Sequence, residues 1–231
     1  MLVSVKDIHV KRYLLVFTVL MVAFSSSVSA SESTINCHCF TDRSFDHQNP
    51  EKVVPYLLAT TQNSFLAVAF NAQKFKLVKD LMSGVPSDQL WIGHYVAART
   101  GYDNKSVMTM RQAMGSWSAA LEEVGLTKER LAPALAMAVE AGDEARLAAA
   151  VVDEALLYLL QVDADDLKRL RAAGADNREA ILSFFLAKRT EQSAPEIYQS
   201  VVGGATNWGT LAFVNNVQID EMEQEFKSIL N

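Results

Sequence analysis

Residues 107–125 read VMTMRQAMGSWSAALEEVG, and residues 198–216 read YQSVVGGATNWGTLAFVNN. In the first stretch Val107, Met110, Met114, Trp117, Leu121 and Val124 recur every three or four residues, the period of one helical face. The second stretch keeps the tryptophan, Trp208 for Trp117, and the polar residue before it, Asn207 for Ser116. It also carries Gly203-Gly204 where the first has Ala113 and Met114. Glycine costs about 1 kcal/mol per residue in a helix interior, so the comparison places a break near Gly115. Ser116 and Asn207 then act as N-caps, and each Trp opens a new helix.

Extending the alignment outward, at a displacement of roughly 90 residues, lays Leu77 to Leu131 over Leu167 to Met222. Gly84 meets Gly174, Arg99-Thr100 meets Arg189-Thr190, Leu126 meets Val217 and Leu131 meets Met222. The shared order of these matches carries more than any one identity. Two units fall short of the three or more that make a solenoid. The expected fold is therefore all-α: a multi-helix bundle built from two weakly similar helical repeats, about 77–131 and 167–222, within a helical domain spanning 51–231.

Start and stop signals divide that domain further. Periodicity predicts helices over Val53 to Thr61 and Ser64 to Met82, the second with Phe65, Val68, Ala72, Phe75, Val78 and Met82 on one face. Ser87 caps a helix from Asp88 to Arg99, and Thr127 opens one in which Pro133 sits in the first turns. Glu144 to Leu160, rich in Ala and Leu, reads as the most buried helix. A shorter helix follows from Asp163 to Ala173. Asp176 with Glu179, and Ser193 with Glu196, have the spacing of capping boxes. Trp91, Trp117 and Trp208 fall at helical positions suited to core anchoring.

Ahead of the domain, residues 1–30 read as a cleavable secretory signal peptide. Lys6, Lys11 and Arg12 precede an apolar run from Tyr13 to Phe24, and small residues end at Ala30, where cleavage is expected. A retained anchor is the competing reading, but twelve apolar residues fall short of the about 20 that a bilayer core requires. Nothing downstream reads as a membrane span. Residues 31–50 show no helical period and are expected to form an extended Cys-containing segment, partly ordered at most.

Export changes the composition argument. The formal net charge of −6 becomes −8 once Lys6, Lys11, Arg12 and Asp7 are removed. This acidic balance opposes contact with nucleic acid or anionic lipid. The sequence has Cys 2, too few for a disulfide framework, so the core must hold by apolar burial.

Those two residues form the one cluster that invites chemistry. In Cys37-His38-Cys39, two thiolates and an imidazole stand close enough in sequence to share a soft ion, with His47, Asp42 and Asp46 nearby. Zinc or copper suits such donors. The spacing is not Cys-x-x-Cys-His, and a second ligand pair is lacking. In an oxidising compartment Cys37 and Cys39 have the alternative fate of a tight, reducible disulfide or a redox couple. A third reading gives them no chemical role. His94 stands alone on its helix, and no hydrolase, zincin, P-loop or dinucleotide motif occurs. Only His38, His47 and His94 remain as bases in the exported chain. Asn104-Lys-Ser106 is a glycosylation triplet.

The run Ser116-Trp-Ser-Ala-Ala-Leu-Glu-Glu-Val-Gly125-Leu126-Thr127 resembles the helix-turn-helix of DNA-binding proteins, with Gly125 in the turn. It departs from that motif at Leu121, where the motif has Ala. The resemblance implies a helix pair, while charge and export oppose DNA contact. The functional expectation is an exported, periplasmic or extracellular, non-enzymatic module that binds a protein or serves as a structural accessory of the cell envelope. The alternative is thiol-redox or metal handling at Cys37–Cys39, and a third is a small-molecule pocket between the repeats.

Overall fold

The computed structural model describes residues 40–230. Among the described residues there are twelve α-helices and two 3-10 turns, and no strand. The first seven helices are α1 (Val54–Ala69), α2 (Lys74–Met82), α3 (Ser87–Thr100), α4 (Asn104–Met114), α5 (Trp117–Glu123), α6 (Pro133–Ala141) and α7 (Glu144–Leu159). The remaining five are α8 (Ala164–Ala172), α9 (Asn177–Ala187), α10 (Ala194–Val202), α11 (Trp208–Val214) and α12 (Met222–Leu230). The 3-10 turns are Lys128–Arg130 and Ile219–Glu221. No helix among the described residues is long and apolar enough to cross a membrane.

Local chemistry sets most of the boundaries. Ser116 accepts from the Ala119 N–H and Asn207 from the Thr210 N–H, each starting a helix on a buried tryptophan. Gly115 ends α4 in the left-handed region at φ 77, where a side chain would be strained. Asp176–Glu179 and Ser193–Glu196 form complete capping boxes at the heads of α9 and α10.

The largest departure from the sequence reading is α1. Periodicity separates Val53–Thr61 from Ser64–Met82, yet the helix runs unbroken through Thr60-Thr61-Gln62-Asn63-Ser64, all of them buried. The break falls later, where Asn71 turns the chain at φ 49. Helix α1 is surrounded: α9 and α12 lie along it, with α11, α2 and the Ile219–Glu221 turn closing the rest. It is therefore more completely buried than α7, reversing the expected order. A helix enclosed on every side has no solvent face to mark its period. Phe75 and Met82, expected on the buried stripe, are exposed on α2, as is Met114 at the end of α4.

The order of elements recurs. Helices α1, α2, α3, α4 and α5, the first 3-10 turn and α6 are followed by α7, α8, α9, α10 and α11, the second turn and α12. Glu144 opens its helix where Val54 does, Ala164 where Lys74 does, and Trp208 where Trp117 does. Contacts follow the same exchange. Helix α3 lies on α7 as α9 lies on α1, and α6 lies on α7 as α12 lies on α1. Even the turns correspond, since Asn71 and Gln161 take the left-handed conformation after α1 and α7. Helix α1 thus packs on the last of the described elements. Trp91, Phe65, Phe185 and Phe226 fill the centre of the core.

Candidate functional site

Helices α3 and α7 leave a cleft between them of about 380 Å³, closed at one end by Ala69 and Phe70 at the end of α1. Tyr95 and Arg99 are four residues apart on α3, and Glu154 and Tyr158 are four apart on α7, so each pair shares one helical face. The Arg99 guanidinium pairs with Glu154 and lies over the Tyr95 ring, 5.2 Å from its centroid. The Tyr95 hydroxyl donates to the second Glu154 oxygen at 3.4 Å. Burial raises the Tyr95 phenol above its ordinary pKa, and the facing Glu154 charge adds to the shift. The hydrogen bond to Glu154 likewise holds the Arg99 guanidinium in its charged form. Ala98 and Ala155 supply no bulk between the walls, and Tyr158, 81% exposed, forms the rim. The volume lies at the lower end of the range for small-ligand sites.

The corresponding positions beside α9 and α1 are built differently. Arg189 again lies over an aromatic ring, that of Phe185, at 5.5 Å. Phe185 has no hydroxyl, and Arg189 pairs with Glu225 on α12. Ser64 stands where Glu154 stands, Val68 where Tyr158 stands, Lys188 where Ala98 stands and Phe65 where Ala155 stands. The arginine-on-ring contact is common to both places. The carboxylate, the phenol, the exposed tyrosine and the two small residues belong to one.

The second candidate region is the N-terminal segment. Cys37, His38 and Cys39 lie outside the described residues. His47 is described, and its ring meets Phe213 edge-on at 4.7 Å and Phe45 at 5.0 Å. Phe45 stacks on Phe213 at 4.3 Å, Phe40 tilts onto Tyr56 at 5.7 Å, and the Tyr56 hydroxyl donates to Asp220. Burial, then the Asp220 hydrogen bond, raises the Tyr56 pKa. Asp46 accepts from the Gln48 N–H and the Asn49 amide, and these bonds, the Asn49 one foremost, lower its pKa. Residues 40–53 therefore form a strap of bends and turns seated on α11. Gly209 makes room for it: a Cβ there would collide with the Pro50 carbonyl oxygen and stand 3.0 Å from Val53 Cγ1. At the corresponding places on α5 are Ser118, Glu122 and Glu123, where α11 has Gly209, Phe213 and Val214. No group of three or more His, Cys, Asp and Glu is placed to hold a metal among the described residues.

Other sequence features resolve into structure. His94 stacks on Phe70 at 6.3 Å, and burial lowers its pKa against the opposing pull of Asp80. The Asn104 amide nitrogen is buried, within 2.9 Å of where a Gly93 Cβ would stand, so the glycosylation triplet is closed by the contact of α3 with α4. After Gly125 the chain enters the 3-10 turn Lys128–Arg130, and the next α-helix begins only at Pro133. The helix-turn-helix resemblance thus ends with α5, whose Trp117 and Leu121 are buried with Leu126.

Sequence reasoning passed over Tyr95, Glu154 and Tyr158 and used Arg99 only to align the repeats. The available signal was the pair of i, i+4 charged and aromatic faces on neighbouring helices. No family model, curated protein or solved structure matches the chain.

Proposed function

We propose that this chain is an exported, periplasmic or extracellular all-helical module that binds a protein partner of the cell envelope through the cleft between α3 and α7. It holds the partner without converting it. In this reading the two successions of helices are copies of one unit, and the cleft is the place where one copy has been specialised. The observation that carries the proposal is the contrast between corresponding positions: Tyr95, Ala98, Glu154 and Tyr158 against Phe185, Lys188, Ser64 and Val68. The arginine-on-ring contact recurs at both places, whereas these four residues line the cleft and differ from their counterparts. An aromatic rim around a small apolar cavity is also the composition that anchors interfaces.

The test puts a photo-crosslinking amino acid at Tyr158 in cells that make the full chain. A discrete crosslinked product in the exported fraction is expected, together with its loss in Ala98→Lys. The same label at Lys168, an exposed position on α8, serves as the control. Equal products from both positions, or none from Tyr158, would overturn the reading. N-terminal sequencing of the exported protein is expected to begin near Ser31, and a chain still carrying residues 1–30 would refute cleavage.

A second reading concerns Cys37-His38-Cys39 as a thiol-redox or zinc- or copper-handling site. What favours it is the strap. The chain that follows this cluster in sequence is anchored on α11 by Phe45, His47 and the clearance at Gly209. Metal analysis and thiol titration of the exported protein decide it. A metal-free protein with unpaired, unreactive thiols removes this reading.

A further inference from the structure

We infer that the cleft takes an uncharged, extended stretch of a partner polypeptide, one apolar side chain entering between Phe70 and Tyr158 while its peptide group bridges Arg99 and Glu154. The inference rests on the proposed binding role of the same cleft and adds the chemistry of what is bound.

Charge complementarity selects the occupant. Arg99 and Glu154 already neutralise each other, so the polar end of the cleft is a dipole with no net charge to offer. A ligand carboxylate meeting Arg99 would also meet the Glu154 carboxylate, and an ammonium group meeting Glu154 would meet the guanidinium. Each charged ligand gains one contact and suffers one repulsion. A peptide group suffers neither, because its C=O accepts from the guanidinium while its N–H donates to the carboxylate. Arg99 has five N–H donors and keeps half of its side chain exposed while paired, so it has hydrogen-bonding capacity to spare.

The apolar part follows from shape. Ala98, Val151 and Ala155 line the cleft together with the larger rings of Phe70 and Tyr158. A cavity of about 380 Å³ bounded in this way admits one leucine-sized or phenylalanine-sized side chain with its backbone, not a folded surface. Tyr158 carries the largest exposed aromatic surface on α7, which suits a residue that becomes covered on binding.

The experiment uses the exported protein with its strap intact and the fluorescently labelled probe acetyl-Leu-Phe-Leu-amide, read by anisotropy. Three variants install the residue found at the corresponding position of the other half: Ala98→Lys, Glu154→Ser and Tyr158→Val. Saturable binding to the wild type is expected, weakened at least tenfold in each variant, with Ala172→Lys on α8 unchanged. Thermal melts by circular dichroism check that each variant is folded; Ala98 is exposed, so Ala98→Lys is expected to disturb no core contact. In competition, the uncharged N-acetylphenylalanine amide should displace the probe better than the anionic N-acetylphenylalanine or the cationic phenylalanine methyl ester. A stronger effect from either charged competitor would overturn the inference. Probe binding that survives all three substitutions would do the same. If the probe fails to bind while crosslinking at Tyr158 persists and is lost in Ala98→Lys, this inference falls and the binding role stands. If both fail, both fall.

Discussion

Gly209 lies directly beneath the Pro50 carbonyl, with the Val53 side chain 3.0 Å from the place where a Cβ would be built. Helix α11 and the strap approach this closely because the residue between them has no side chain. Gly209→Ala is expected to cost about 1–3 kcal/mol, the usual penalty for inserting bulk where none fits. Denaturant unfolding measures the loss, and trypsin cleavage after Arg43 and Lys52 should accelerate as the strap lifts. Ser118→Ala, at the corresponding place on α5, should leave both nearly unchanged. Equal effects from the two substitutions would show that the strap does not depend on the clearance.

Each of the paired caps can be removed singly. Asn207 and Ser116 each hold the N–H three residues on, at 2.9 and 3.2 Å. Asn207→Ala and Ser116→Ala are each expected to lower stability by about 1 kcal/mol, while Asn207→Asp should recover most of the loss. Urea midpoints compare them.

The aromatic centre gives a larger effect. Phe226 is fully buried, 5.1 Å from the Phe65 ring and 5.0 Å from the Phe185 ring. Phe226→Ala should cost about 3–5 kcal/mol. Phe75 sits on α2 with 67% of its surface exposed. Phe75→Ala is expected to stay within about 0.5 kcal/mol of the wild type. The contrast separates the observed burial from the one that periodicity predicts.

Asp88 supplies a pH dependence. It is half-buried in the first turn of α3, where burial, then the charges of Glu144, Asp143 and Asp176, raise its pKa above 3.8. The folded protein therefore holds this proton more tightly than the unfolded chain, so ionised Asp88 lowers stability at neutral pH. The penalty fades as pH falls through the raised pKa and is gone below the ordinary value. Asp88→Asn should accordingly be more stable than the wild type at neutral pH and equal to it below pH 3.8. Denaturant titrations at several pH values test this, and a gain that persists at low pH would assign the effect to something other than charge.

These contrasts show where sequence was a sufficient guide. Asp176, Ser193, Ser116 and Asn207 were readable because a cap is local chemistry: a short polar side chain answers an N–H three residues away. Residues 60–64 were not, because alternation with solvent is the signal that periodicity uses and α1 has no solvent side. The strap escaped for a similar reason. Phe45 and His47 have no period, and their partner Phe213 lies far along the chain on another helix. In the cleft, Arg99 entered only as a match between the repeats, and Ala98 and Ala155 act by what they omit, where an alanine in a helix is otherwise unremarked. Their meaning emerges only when Lys188 and Phe65 are set beside them.

Helix α1 lies against α9 and α12, so the first described helix is covered by the last one described. Its interior includes Thr61 and Ser64, whose hydroxyls are buried without a hydrogen-bond partner among the described residues. Until translation reaches Phe226, this helix lacks α12, one of the two helices that lie along it. The enclosure of α1 is then completed by the nine-residue helix Met222–Leu230. A ribosome-tethered chain stopped before Met222 would keep α3 and α6 on α7 and leave the α12 side of α1 uncovered.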